Sequence, residues 1–226
     1  MGKCFLLLLF VLNTQLYAQR ILFVGNSLTY YNDMPNILRQ IGKKFDKKIH
    51  TEMLCYPNYA IIDHLREGKV QQKIASEKYD YVIAQQGPSS QEQGRKMLIN
   101  DGKKLVELCK KHSTRFGYFM VWPSKQYYFT FDKVIANHKE AAKRNNTLLF
   151  SVGSYWKQYE AQNNTVSLYS SDQFHPSVAG SFFAALTIFK GIYPKINLHT
   201  LTYNDAKQWI QNEKYFNAIL QLLSTK

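Results

Sequence analysis

Cysteine is scarce in this chain, with three among 226 residues. So thin a supply excludes the disulfide frameworks that hold small secreted scaffolds together. Cys4 precedes an apolar block near the amino terminus, which leaves Cys55 beside an expected strand end and Cys109 inside an expected helix. Both read as small buried hydrophobes, and a bridge between them stays open. Acidic residues are also few, 16 against 29 lysines and arginines, for a net charge of +13. A basic balance of this kind favours anionic substrates or an acidic surface. The lysines are nevertheless scattered, in pairs such as Lys43-Lys44 and Lys103-Lys104 that suit helix ends and faces. No nucleic-acid motif accompanies them, so nucleic acid is not an expected partner.

Long hydrophobic runs are missing too. The block at residues 5–12 is too short to span a bilayer. With Lys3 ahead of it and Leu16-Tyr17-Ala18 behind, it has the layout of a secretory signal peptide cut near Ala18. The expectation is a leader at 1–18 and one domain at 19–226, exported to a periplasm or secreted, without stable membrane insertion. There is no phosphate-cradling Gly-rich loop, no dinucleotide fingerprint and no close-spaced His/Cys cluster. Repeats, linkers and low-complexity stretches are absent as well, and nothing in the pattern sets an oligomeric state.

Apolar residues make up 45% of the chain, enough for a full core at this length. Short β-branched runs at 21–24, 49–54, 81–84, 116–121 and 148–150 predict strands, each followed by a turn. Amphipathic stretches at 35–45, 61–76, 91–112, 131–144, 177–190 and 204–223 predict helices. Met97, Leu105, Leu108 and Cys109 keep helical spacing in the third, as do Trp209, Ile210, Phe216, Ile219, Leu220 and Leu223 in the last. Asn32-Asp33 ahead of Met34-Pro35 is an expected helix cap. Strand and helix in alternation indicate an α/β protein with a parallel sheet covered on both faces. Asn145 and Asn163 stand in Asn-x-Thr sequons.

Open parallel sheets bind ligands beyond the carboxyl ends of their strands, which directs attention to the corners after each run. The first strand stops on Gly25-Asn26-Ser27-Leu28-Thr29, a corner that exposes a serine hydroxyl. Far along the chain, Ser171-Asp172-Gln173-Phe174-His175-Pro176 sets a carboxylate and an imidazole three apart. One turn of loop brings such a pair together, and the carboxylate then fixes the tautomer of a ring able to deprotonate serine. Trp122, Tyr127, Tyr128, Phe129 and Phe131 follow the fourth strand, and Tyr30 and Tyr31 follow Ser27. Their flat faces suit stacking on a sugar ring, Trp122 and Tyr30 being the leading candidates, while the alternative is a loop packed back on the core.

The two motifs resemble those of the SGNH or GDSL-type hydrolases, in particular the bacterial branch whose first block reads Gly-Asn-Ser-x-Thr. Asp172, His175, Pro176 and Ser177, with Gly180 in the helix beyond, are similar to that family's last block. The resemblance implies a three-layer α/β/α flavodoxin-like fold around a central parallel five-stranded sheet. It further implies Ser27 as nucleophile, His175 as general base and then acid, Asp172 as the orienting carboxylate, and no cofactor. The middle blocks differ from the family pattern. Where the second offers a glycine N–H to the oxyanion, this chain has Cys55-Tyr56-Pro57-Asn58, and Asn58 is the best match because asparagine accepts left-handed backbone angles. Where the third offers an asparagine side chain, this chain has Gln85-Gln86-Gly87-Pro88-Ser89. Gln86 is the first choice, followed by Gln85 and Ser89, so the expected oxyanion hole is Ser27, Asn58 and Gln86.

Together with the leader-like block and the surface aromatics, the resemblance implies an exported serine esterase that removes O-acetyl groups from carbohydrates through an acyl-serine intermediate, with an acylated small molecule or glycan as substrate. The alternatives are a lipase or thioesterase of the same fold, and a non-catalytic glycan-binding protein on a hydrolase scaffold.

Overall fold

In a computed structural model, which describes residues 18–162 and 164–224, the apolar runs form five strands. They are β1 (Gln19–Gly25), β2 (Ile49–Cys55), β3 (Tyr81–Ala84), β4 (Arg115–Phe119) and β5 (Leu148–Phe150). Their order across the sheet is β2-β1-β3-β4-β5, and every pairing is parallel. The chain steps from β1 outward to β2 and then crosses to β3 on the far side, so β1 and β3 flank the topological switch point where sheets of this kind bind ligands. Of the expected leader, only Ala18 is among the described residues.

The helices are α1 (Ser27–Tyr30), α2 (Met34–Lys44), α3 (Ile61–Glu67), α4 (Lys69–Ser76), α5 (Glu92–Lys111), α6 (Phe131–Arg144), α7 (Val152–Ala161), α8 (Val178–Ile192), α9 (Tyr203–Ala206) and α10 (Glu213–Ser224). Alternation along β1 divides the core. Ile21 and Phe23 pack with α2, α8 and α10, while Leu22 and Val24 pack with α3, α4 and α5 on the other face. All four are fully buried, which is why the strand reads as a continuous apolar run and not as an alternating one. Each such side chain contributes roughly 1.5–3 kcal/mol by leaving water. The result is the expected three-layer α/β/α arrangement around five parallel strands.

Several local expectations need correction. The stretch 61–76 is two helices, because Gly68 takes a left-handed φ of 76° between α3 and α4. The stretch 204–223 also breaks, and Trp209 and Ile210 are buried between α9 and α10, outside either helix. In α5 the buried stripe runs through Leu98, Leu105, Val106 and Cys109, so Met97 and Leu108 stand at its margin. Helix α7 falls where no helix was expected: its Val-Gly-Ser opening hides the helical signal, and Trp156 and Tyr159 are what seat it in the core. Asn32 and Asp33 adopt left-handed angles and make no side-chain cap, because the Asn32 amide is used elsewhere.

Cys55 and Cys109 are both free, and burial pushes each thiol up to about 12. The Asn145 side chain is buried and donates to the Ile99 carbonyl and the Tyr118 hydroxyl, so the folded chain offers no glycan acceptor there. Asn163 lies outside the described residues.

Candidate active site

Ser27 owes its place to the way β1 ends. Asn26 adopts extended angles and caps α1, its Oδ1 accepting from the Leu28 N–H at 3.1 Å. The same side chain donates from Nδ2 to the Tyr59 carbonyl at 3.0 Å, tying the Ser27 corner to the loop after β2. Ser27 is then the first helical residue, and its main-chain N–H has no acceptor among the described residues.

The loop between α7 and α8 carries His175 to the same corner. His175 Nε2 lies 2.9 Å from Ser27 Oγ, and His175 Nδ1 lies 2.6 Å from Asp172 Oδ2. Asp172 Oδ1 accepts from the Ser170 hydroxyl at 2.6 Å and from the main-chain N–H groups of Phe174 and His175, each at 2.9 Å. Those donors, the Ser170 hydroxyl foremost, hold the carboxyl well below the usual carboxylate range. An ionised carboxylate only accepts, so Nδ1 carries the ring proton, Nε2 presents a lone pair, and the Ser27 hydroxyl donates to it.

Two neighbouring residues grip the imidazole segment from outside. Tyr31 stacks on the His175 ring, centroids 4.5 Å apart and planes 14° from parallel. Asn32 Nδ2 donates to the Pro176 carbonyl at 2.9 Å and to Ser181 Oγ at 3.0 Å. Sequence reasoning placed Tyr31 at the rim without a partner and took Asn32 for a cap; only the contact across the fold shows what either does.

The corner after β3 braces the site with side-chain donors that are all partnered inside the protein. Gln85 Nε2 donates to Asn26 Oδ1 at 2.8 Å and to Thr29 Oγ1 at 3.1 Å. Gly25 makes room for it, since a Cβ there would lie 2.6 Å from Gln85 Nε2. Gln86 Nε2 donates to Ser89 Oγ at 2.9 Å and to the Gly94 carbonyl at 3.3 Å, and the Ser89 hydroxyl donates to the Gly87 carbonyl. Every side chain of this trio donates inside the protein, so the structure offers no free side-chain donor there, against the expectation that Gln86, or Gln85 or Ser89 in its place, donates to an oxyanion.

Asn58 is exposed and left-handed at φ 62°, and its main-chain N–H has no acceptor among the described residues. The register pairs Gly25 with Cys55, and Tyr56 N–H donates to the Gly25 carbonyl at 3.1 Å, so the loops bearing Ser27 and Asn58 leave adjacent strands side by side. Beneath them His64, from α3, is buried and donates to the same Gly25 carbonyl at 2.8 Å. Its burial favours the neutral ring.

Trp122 is the second correction. It is fully buried, stacks on Trp156 at 3.7 Å between centroids, and donates from Nε1 to the Phe174 carbonyl at 3.0 Å. It supports the floor under the Asp172 loop and presents no face to a ligand. Tyr30 is half-buried, and its hydroxyl has no hydrogen-bond partner among the described residues. The aromatics exposed among the described residues are Tyr31, Tyr127 and Phe129. The last two line an open cleft of about 690 Å3 that runs up to Asp172, Gln173 and Phe174.

No family model matches the chain, and no curated protein matches it in sequence. Solved structures do match its fold. A DUF4886 family protein from Bacteroides uniformis aligns with a TM-score of 0.74 at 13% identity, over 92% of this chain and 93% of that one. A candidate SGNH hydrolase from Slackia heliotrinireducens aligns at 0.64 and 23% identity, over 78% of this chain and all of that one. A variant of an acetyl xylan esterase from Geobacillus stearothermophilus aligns at 0.61 and 15% identity, over 79% and 96%. The chain thus has the three-layer α/β/α fold of the SGNH/GDSL hydrolases. Among the described residues no helix is long and apolar enough to cross a membrane.

Proposed function

We propose that the protein is a serine esterase that removes acyl groups, acetyl foremost, from carbohydrates. The observation that carries this reading is the unbroken relay from Asp172 through His175 to Ser27, joining residues from opposite ends of the chain at 2.6 and 2.9 Å. Ser27 Oγ attacks the ester carbonyl as its proton passes to His175 Nε2, and the Asp172 carboxylate stabilises the imidazolium that forms. The imidazolium returns that proton to the departing alcohol, leaving an acyl-Ser27 ester. Water then attacks the acyl carbon, giving a proton to Nε2, and Ser27 leaves protonated with release of the carboxylic acid. The free main-chain N–H groups of Ser27 and Asn58 are the donors assigned to the developing oxyanion. Export in this reading rests on the leader-like pattern of residues 1–18.

Acetate release from O-acetylated glycans, combined with fluorophosphonate labelling, tests the assignment. Wild type labels and turns over, while Ser27→Ala does neither and His175→Ala loses at least about 10^3-fold in kcat. A folded wild-type protein that is neither labelled nor active on any acetyl ester overturns it in favour of a glycan-binding role.

A further inference from the structure

The cleft beside Asp172 is wide, open and unused by the relay itself. One wall is the stretch Lys125–Thr130, which carries Tyr127 and Phe129; the other is the loop that delivers the imidazole. The walls are built as one piece. Lys125 N–H donates to the Gln173 carbonyl at 2.9 Å, Trp122 Nε1 donates to Phe174, and the Tyr169 hydroxyl donates to the Pro123 carbonyl at 3.0 Å. We propose that this cleft is the subsite for the alcohol half of the ester, and that it takes a neutral pyranose unit of an oligosaccharide, with Phe129 and Tyr127 stacking on the ring faces. The proposal rests on the esterase reading above and adds where the sugar sits and what holds it.

Its position selects the alcohol half over the acyl half. The residues at its inner end, Asp172, Gln173 and Phe174, immediately precede His175, whose Nε2 must hand a proton to the leaving oxygen. The acyl group belongs on the other side, toward the loop of Asn58 that adjoins Ser27 through β1 and β2.

Its chemistry selects a sugar. Tyr127 is 54% and Phe129 is 83% exposed, an unfavourable placement for large rings unless a ligand covers them. Around them stand the carboxamides of Gln91, Gln126 and Gln173 and the hydroxyl of Ser90, none of which has a hydrogen-bond partner among the described residues. Free amides and hydroxyls around exposed ring faces match the alternation of C–H faces and equatorial hydroxyls on a pyranose. An acyl chain laid here would strip water from those amides and return no hydrogen bond. Among the described residues that line the cleft there is no lysine or arginine to attract an anionic ligand; neighbouring Lys125 is paired with Glu160 and directed at the rings of Tyr128 and Tyr169, and the Asp172 carboxylate at the inner end repels an anion.

The test compares kcat/KM for O-acetylated xylo-oligosaccharides, p-nitrophenyl acetate and p-nitrophenyl octanoate in wild type, Phe129→Ala, Tyr127→Ala and the double variant. Both side chains are exposed, so the variants fold. The ratio of oligosaccharide to p-nitrophenyl acetate activity is expected to fall about fivefold for each single change and roughly 20-fold for the pair, as loss of one stacked ring apiece implies. An unchanged ratio, a loss confined to p-nitrophenyl octanoate, or a wild type that hydrolyses p-nitrophenyl acetate but no acetylated oligosaccharide overturns the sugar subsite. Hydrolysis of p-nitrophenyl acetate that survives Ser27→Ala overturns the esterase reading instead, so the two failures are told apart.

Discussion

The side-chain amide of Asn32 donates at 2.9 Å to the carbonyl of Pro176, so the residue after the stacked tyrosine holds the residue after the imidazole. Ser181 closes the clamp by donating from Oγ to the Tyr31 carbonyl at 3.2 Å while accepting from Asn32. The left-handed angle that lets Asn32 reach across, φ 52°, is one that asparagine tolerates better than most residues. In this way the first motif fixes the orientation of the ring supplied by the last.

Replacing Asn32 with alanine removes both hydrogen bonds and leaves the ring free to swing away from Ser27 Oγ. Steady-state kinetics on p-nitrophenyl acetate is expected to show kcat down about tenfold, the equivalent of one to two kcal/mol of lost positioning, with KM little changed. A variant with wild-type kcat and only a lower melting temperature would reduce the clamp to a stability feature.

Gly25 and Gln85 form a second coupled pair. A methyl group on Gly25 collides with the Gln85 carboxamide, which in turn supports Asn26 and Thr29 on either side of Ser27. Gly25→Ala is therefore expected to cost more than tenfold in kcat/KM. Gln85→Ala alone loses two hydrogen bonds and costs about 1–2 kcal/mol of stability. Because the shortened side chain no longer meets the methyl group, the double variant should be less impaired than the two single effects sum to, and a double-mutant cycle on kcat/KM measures that coupling. Strict additivity would contradict the packing described.

Gln86 supplies a sharper test of where the oxyanion donors lie. If its amide reached the oxyanion, removing it would cost about 10^2–10^3 in kcat. Committed as it is to Ser89 and Gly94, Gln86→Leu should leave kcat within about threefold of wild type, with the loss appearing in thermal stability, about 1–3 kcal/mol for the two broken hydrogen bonds. A loss in kcat of a hundredfold would restore the glutamine to the hole.

What could be read from the sequence follows the range of the forces involved. Strands such as Tyr81–Ala84 and the Ile21–Val24 run of β1 are visible because a strand buried on both faces must be apolar throughout, and Phe131–Arg144 because its period is unbroken. Ser27, Asp172 and His175 are visible because each stands in a short motif whose members act on one another. Trp122, Gln86 and Tyr31 are misjudged or left undecided for the opposite reason. Whether a tryptophan faces solvent or stacks on Trp156 depends on a helix whose own Val-Gly-Ser start conceals it. Whether a glutamine is free depends on Gly94, in the first turns of α5. Tyr31 meets its histidine only because α8 packs on α2, a contact between opposite ends of the chain.

His138 gives the fold a pH dependence whose sign follows from its burial. The ring lies wholly inside the protein on α6, its Nδ1–H donating to the Val134 carbonyl at 2.8 Å and its Nε2 without a partner. Burial opposes the charged form and pushes the group down from 6.5 to about 4, against the smaller upward pull of the carbonyl. Between those values the unfolded chain binds a proton that the folded chain refuses, so stability rises with pH there: it is full above pH 6.5 and is lost as pH falls toward 4. The whole window is worth at most about 3 kcal/mol. Urea unfolding at pH 7.5 and pH 5 should show the wild type losing a large part of that amount, and His138→Leu should lose distinctly less. Some slope persists in the variant because burial also depresses His64. Glu52, which its partners, Lys73 foremost, outweigh burial to hold at about 2, releases its contribution only as pH drops from 4.5 toward that value. A wild-type loss confined to pH below 4 would therefore assign the acid sensitivity to Glu52 and not to the buried histidine.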